Sequence, residues 1–312
     1  MNKPLKALAQ EMNTLLLALD LSAMDHRIIT QALYLAKKAR PEKVYCLHVV
    51  KSYEHLDKKE YVGDEQLPVN ERIEKTIDRM IPKELKLLSD VHIEVHEGPI
   101  IKTILRWIKL KNADAVIIGN KEGKYHEDYL PAQVANFSRC SVVMIPEASS
   151  SDFQNLLVPI DFSEHAAHAV YTANFISDHN VNHPKVNLIN IFEVPSGYHA
   201  VGKSFDEFAE VIRDQHKREF DEFLVRFHME DQDLSCEYIL DQEGNVAKAI
   251  ASYAKKNKID GIIMGAKGRT HLASMLVGSV AKRLIRLGLN FPLIVVKAKE
   301  DQFNLMNDMW EI

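Results

Sequence analysis

Short runs of β-branched and leucine residues alternate along this chain with longer stretches in which apolar positions recur every three or four residues. That alternation predicts a parallel sheet wrapped by helices. The pattern is clearest in the second half, where strands are predicted at Asn155 to Ile160, Lys185 to Phe192, Ser235 to Leu240, Gly261 to Gly265 and Leu293 to Lys297. Between the second and third of these lies "SFDEFAEVIRDQHKREFDEFLVRFH", in which Phe205, Phe208, Ile212, Phe220, Leu224 and Phe227 fall on one stripe of a long helix. The stripe reads as core. Ser163 is a helix N-cap after the first strand, and Gly244 turns the third strand into the next helix.

The first half repeats the pattern. "LLLALDLSAMDH" from residue 15 matches "LLVPIDFSEHAA" from residue 156, setting Asp20 opposite Asp161 and Ser22 opposite Ser163. "NADAVIIGN" from residue 112 matches "KIDGIIMGA" from residue 258, setting Gly119 opposite Gly265, and "SVVMIP" and "PLIVVK" close the two copies. The expected architecture is α/β: two tandem Rossmann-like, doubly wound domains, each a five-stranded parallel sheet of order 3-2-1-4-5. The domains are expected at 1–148 and 152–300, joined by the serine-bearing linker from Pro146 to Asp152, with a tail at 301–312. Each copy closes with a short apolar strand, Val142 to Ile145 and Leu293 to Val296, which needs a partner at the sheet edge. An intramolecular pseudo-dimer is expected, and a homodimer is open. In the tail, Phe303, Met306 and Trp310 recur at helical spacing, so it is expected to dock.

Composition narrows the function classes. A chain of 312 residues with formal net charge −5 lacks the basic balance of a general nucleic-acid binder. No apolar run reaches a membrane span and no cleavable leader is evident, so a cytoplasmic protein is expected. Cys46, Cys140 and Cys236 are too few and too widely spaced for a disulfide framework or zinc knuckle and are read as buried thiols. The paired histidines His92 and His96, His165 and His168, and His179 and His183 lack a third ligand and are read as solvated or capping. No metal site is expected.

The stretch "GAKGRTHLASMLVGS" concentrates Gly265, Gly268 and Gly278 before Ser279. Gly265 and Gly268 would permit positive φ and close backbone approach to phosphate oxygens, and Gly278 and Ser279 would open a helix whose amides suit another phosphate. In a 3-2-1-4-5 sheet the ends of strands one and four, Asp161 and Gly265, face one crevice. Asp161 would accept a ribose hydroxyl or hold a divalent ion bridging to the phosphates. From Gly265 to Arg286 the chain carries five basic residues and no acid, whereas from Gly119 to Cys140 three basic residues are balanced by Glu122, Glu127 and Asp128. The first copy's loop is five residues shorter, has Gly123 out of register and lacks the Gly-Ser pair.

The spacing Gly-x2-Gly-x9-Gly-Ser after "IIMG", with "LLVPIDFSEHA" opening the unit and "PLIVVK" closing it, resembles the universal stress protein family over nearly the whole chain. The resemblance implies ATP, with or without Mg2+, in the second copy. It places Pro159, Asp161 and Ser163 by the first strand, makes Ile191 a backbone partner for adenine, and lines the phosphate side with Met264, Gly265, Lys267, Gly268, Gly278, Ser279 and Val280. It implies a stress-response or signalling protein acting on a protein partner that the sequence does not identify. A nucleotide-independent interaction module and a slow ATPase are the alternatives. No base to activate water, nucleophile elbow or P-loop Lys-Ser/Thr is evident, so an enzyme is not expected.

Overall fold

The computed structural model describes residues 12–53, 67–121, 129–148, 152–178, 183–268 and 277–297. The tail at 301–312, the first copy's loop with Glu122, Gly123, Glu127 and Asp128, the middle of the second copy's glycine loop, the linker serines and His179 lie outside the described residues. The first copy runs β1 (Thr14–Leu19), α1 (Met24–Ala39), β2 (Lys43–Val50), α2 (Val69–Met80), α3 (Lys83–Leu88), β3 (Asp90–Glu97), α4 (Ile100–Leu110), β4 (Ala115–Asn120), α5 (Leu130–Phe137) and β5 (Ser141–Pro146). The second runs β6 (Asn155–Pro159), α6 (Glu164–Asp178), β7 (Lys185–Phe192), α7 (Phe205–Arg226), β8 (Cys236–Leu240), α8 (Val246–Lys256), β9 (Gly261–Gly265), α9 (Ser279–Arg286) and β10 (Leu293–Val296).

One sheet holds all ten strands in the order β3-β2-β1-β4-β5-β10-β9-β6-β7-β8. Each half has the expected 3-2-1-4-5 order, and pairing is parallel everywhere except between β5 and β10, which meet antiparallel with Ile294 opposite Val143. Strands such as Leu15 to Leu17 and Ile262 to Ile263 are fully buried because helices cover both faces of the sheet. Helices α1, α2, α3, α6 and α7 pack on one face, and α4, α5, α8 and α9 on the other. In α7 the expected stripe holds, with Phe220 and Phe227 buried and Phe205, Phe208, Ile212 and Leu224 partly so; Phe223, the most buried of its aromatics, belongs to it as well.

Side chains cross between the copies beside that antiparallel pair. Lys297, only 5% exposed, sends Nζ to the carbonyl oxygens of Ala135 and Ser138, each at 2.6 Å, at the end of α5. A cation against the last carbonyls of a helix is favoured by the helix dipole and by charge-assisted hydrogen bonds. Phe153, just ahead of β6, packs edge-on against Tyr34 of α1 with ring centroids 5.4 Å apart.

Two expectations are corrected. Cys46 and Cys140 are buried, and burial pushes both thiols up to about 12, but Cys236 is only partly covered because it begins an edge strand. His165 and His168 are not solvated; both are buried on α6, which packs against β6, β9 and β10. Among the described residues, no helix is long and apolar enough to cross a membrane, and no group of three or more His, Cys, Asp or Glu is placed to hold a metal ion.

Candidate functional site

At the carboxyl ends of β6 and β9 the second copy holds a cavity of about 550 Å³, within the roughly 300–1,000 Å³ usual for small-molecule sites. Ten of the eleven residues singled out in the sequence line it: Pro159, Asp161, Ile191, Met264, Gly265, Lys267, Gly268, Gly278, Ser279 and Val280. The eleventh, Ser163, lies behind the wall. Its Oγ donates to Asp161 Oδ1 at 2.5 Å and accepts from Ala166 N–H at 3.2 Å, so it caps α6 as expected while fixing the carboxylate. Ser163 N–H adds a second bond to the same oxygen at 3.1 Å.

The loop that carries Asp161 is held from behind. Phe162 adopts φ +63° and buries its ring against Phe223 and Phe220 of α7. Arg226 of α7 donates to its carbonyl. Asn190 donates to Ile160 O at 2.9 Å and receives the His216 Nδ1 proton at 2.6 Å, which ties the end of β6 to the same helix. A non-glycine residue with positive φ persists only where its surroundings over-determine it. The first copy repeats the turn with Leu21 at φ +60°.

The glycines serve space rather than handedness. None of Gly265, Gly268 and Gly278 is among the positive-φ glycines, so the expectation that Gly265 and Gly268 exploit that freedom is corrected. A Cβ on Gly265 would sit 2.6 Å from the His165 carbonyl carbon and oxygen, and one on Gly268 would sit 2.7 Å from Asp161 Oδ2. Gly278 N–H is donated to Ala266 O at 2.7 Å, which brings the start of α9 to the end of β9. The next amides, of Ser279, Val280 and Ala281, open α9 with no side-chain cap. They are the donors that an anion would meet. Gly265→Ala is expected to destabilise the chain by about 1–3 kcal/mol in denaturant unfolding, because backbone of α6 has to move; a midpoint equal to wild type would contradict the packing role.

The inner part of the cavity is apolar. Ile160, Ala166, Ile191, Val246, Ile250, Met264 and Ala281 form its walls. Val246 and Ile250 were not foreseen as site residues, although their four-residue spacing just after Gly244 is the available signal. Gly244 at φ +65° makes the turn, and Asn245 Oδ1 caps α8 by accepting from Lys248 N–H at 3.2 Å. The arrangement offers a flat apolar moiety a slot and an anionic end a mouth of glycine, lysine and helix amides.

In the first copy the described residues at the equivalent positions bond one another. Lys121, at the position of Lys267, bonds Asp20 Oδ2 directly. Burial works against ionising Asp20, but the hydrogen bonds and charge of Lys121, with Ser22, outweigh it and hold the carboxyl below its usual range. Asp25 stands where the second copy has Ala166. It is fully buried and accepts from Asp20 N–H at 3.1 Å and Leu21 N–H at 2.7 Å. Met24 packs on Gly119 as His165 packs on Gly265, leaving a Cβ at Gly119 only 3.0 Å from the Met24 Cγ.

Burial, with the Asp20 charge adding to it, pushes the Asp25 carboxyl up to about 6. A folded-state value above the unfolded one means that its contribution to stability is full below about pH 3.8 and is lost as pH rises through about 6. Carboxyl-carbon NMR is expected to show Asp25 titrating near 6; a midpoint in the ordinary aspartate range would contradict the buried placement.

A sequence model described as the Universal stress protein family matches residues 12–146 and again 152–297. Universal stress protein MJ0577 of Methanocaldococcus jannaschii is 27% identical over 158 residues, covering 47% of this chain and 96% of that protein. A crystal structure of a universal stress protein from Archaeoglobus fulgidus superposes with TM-score 0.57 at 18% identity, covering 94% of this chain and 99% of that one. A putative universal stress protein from Pseudomonas aeruginosa superposes with TM-score 0.62 at 15% identity, covering 94% and 96%. These two structural likenesses bear on the fold.

Proposed function

The chain belongs to the universal stress protein family, and from that premise we propose that its second copy binds one ATP and that occupancy of this site biases conformation or the choice of a protein partner in a stress or signalling response. The observation that carries the proposal is the meeting of an apolar slot with an amide-rich, acid-poor mouth in one crevice. Adenine would lie among Ile160, Ile191, Val246 and Ile250, with the Ile191 backbone as its polar partner. The phosphates would lie across Gly268 to the first turn of α9, where Ser279 adds a hydroxyl and Lys267 a charge.

Asp161 fits a ribose hydroxyl, since one of its oxygens is held by Ser163 and the other faces Gly268. A divalent ion there would draw most of its ligands from phosphate and water, because Asp161 is the one carboxylate among the described residues that line the cavity. Among the described lining residues the one carboxylate, Asp161, has Oδ1 held by Ser163, so the groups described suit holding a nucleotide more than hydrolysing it. Heat-denaturing the purified protein and chromatographing the supernatant is expected to release an adenine nucleotide. A protein that carries none and gives no heat when titrated with ATP would overturn the reading.

A further inference from the structure

We propose that two copies of this chain associate through β3, pairing antiparallel about a two-fold axis at Ile93. Among the described residues β3 pairs only with β2 and ends the ten-stranded sheet. It is eight residues long, in unbroken register, and carries no lysine, proline or bulge, three of the devices that keep an edge strand from pairing; its charged residues are the acids Asp90, Glu94 and Glu97. Its backbone parity is set by two bonds: Asp90 N–H to Glu42 O at 2.9 Å and Gly98 N–H to Val50 O at 2.8 Å. Even-numbered residues therefore direct their backbone groups at β2, and Val91, Ile93, Val95 and Glu97 direct theirs outward.

The side chains select one register. Asp90, His92, Glu94 and His96 share the solvent-reaching face, with side chains 64%, 40%, 28% and 41% exposed. Both imidazoles are braced, His92 stacked on Tyr45 at 5.0 Å and His96 tilted against Trp107 at 4.6 Å, with Lys111 Nζ over the Tyr45 and Trp107 rings. Within the strand His92 meets Asp90 at 2.8 Å and His96 meets Glu94 at 3.4 Å, and Lys111 Nζ also lies 3.8 Å from Glu94 Oε1. An axis at Ile93 sets Asp90 opposite His96 of the second copy and His92 opposite Glu94, so every facing pair on this side joins an acid to an imidazole. Moving the axis to His92 or Glu94 sets histidine against histidine and acid against acid, and moving it to Val91 or Val95 keeps acid against imidazole at two facing positions instead of four. The same Ile93 axis lets Val91, Ile93 and Val95 exchange their outward backbone hydrogen bonds and makes the His92–Glu94 positions non-hydrogen-bonded pairs, whose side chains stand closest. The interface is isologous, and it closes at two copies.

Sedimentation velocity of the full chain is expected to show a concentration-dependent monomer–dimer equilibrium. His92→Glu/His96→Glu, with an all-acid ladder, and Asp90→Lys/Glu94→Lys should each weaken self-association by at least about tenfold while keeping wild-type circular dichroism. An equimolar mixture of the two should recover the dimer, which a merely structural disturbance does not do. Independently, chains carrying His92→Cys and Glu94→Cys should form an intermolecular disulfide when mixed and oxidised, while either alone should not. A wild-type chain that stays monomeric, a dimer untouched by the all-acid variant, no crosslink in the mixed cysteine pair, or open-ended oligomers of the kind that β3-to-β8 pairing would build each overturns the proposal.

Discussion

Gly268→Asp is expected to abolish ATP binding, with a loss beyond about a hundredfold in affinity. A Cβ at this position already lies 2.7 Å from Asp161 Oδ2, and the added carboxylate would stand against both that oxygen and the incoming phosphates. Close like charges in a partly solvent-excluded site cost several kcal/mol. Asp161 cannot turn aside without losing the Ser163 bonds that order the start of α6. Gly123→Asp, in the first copy's loop, is expected to leave affinity nearly unchanged. Isothermal titration of the two variants against wild type checks the pair, with unfolding midpoints showing that Gly268→Asp remains folded. Retained binding in Gly268→Asp, or loss in Gly123→Asp, would move the nucleotide away from the second copy.

Phe153→Ala is expected to destabilise the whole chain by about 3–5 kcal/mol, the range for removing a fully enclosed aromatic ring. Phe153 is 0% exposed, lies against Gly261 so closely that a Cβ there would be 2.6 Å from its ring, and reaches Tyr34 of the other copy. Because one apolar core on this face of the sheet contains residues of both copies, and Lys297 ties β10 to α5, unfolding is expected as a single transition. Denaturant unfolding followed by fluorescence and circular dichroism measures it. A change under about 1 kcal/mol, or two transitions of which only one moves, would show that the copies are energetically separate.

The strand order and the helix faces were legible because a sheet covered on both sides demands near-continuous apolar strands, and the helices between them carry one apolar stripe each. The mouth of the crevice was legible for a related reason: Asp161, Gly265 and Gly268 mark strand ends, and topology alone brings those ends together. What the glycines are for was not. Handedness and clearance leave the same residue in the sequence, and only the nearness of His165 and Asp161 tells them apart. Val246 and Ile250 read as an ordinary core stripe, since a helix that walls a cavity has the same periodicity as one that fills it.

The departure of the first copy was half visible. Its acids and missing glycines were plain, but that Lys121 bonds Asp20 is a tertiary fact that residue type does not carry. Asp25 was silent for the same reason, because an acid in the first turn of a helix is commonplace, and its burial beneath the Asp20–Leu21 amides is a tertiary fact. The buried His165 and His168 show how little a lone side-chain type says about exposure.

The measurement that bears most directly on a second-copy nucleotide site is the stoichiometry of ATP binding to the full chain by isothermal titration, begun from protein stripped of any nucleotide carried through purification. One ATP per chain is expected, because the second copy presents the slot and the amide-rich mouth, while in the first copy Lys121 is paired with Asp20 and the buried Asp25 stands in place of the cavity-lining Ala166. Two ATP per chain, or none, would contradict the account.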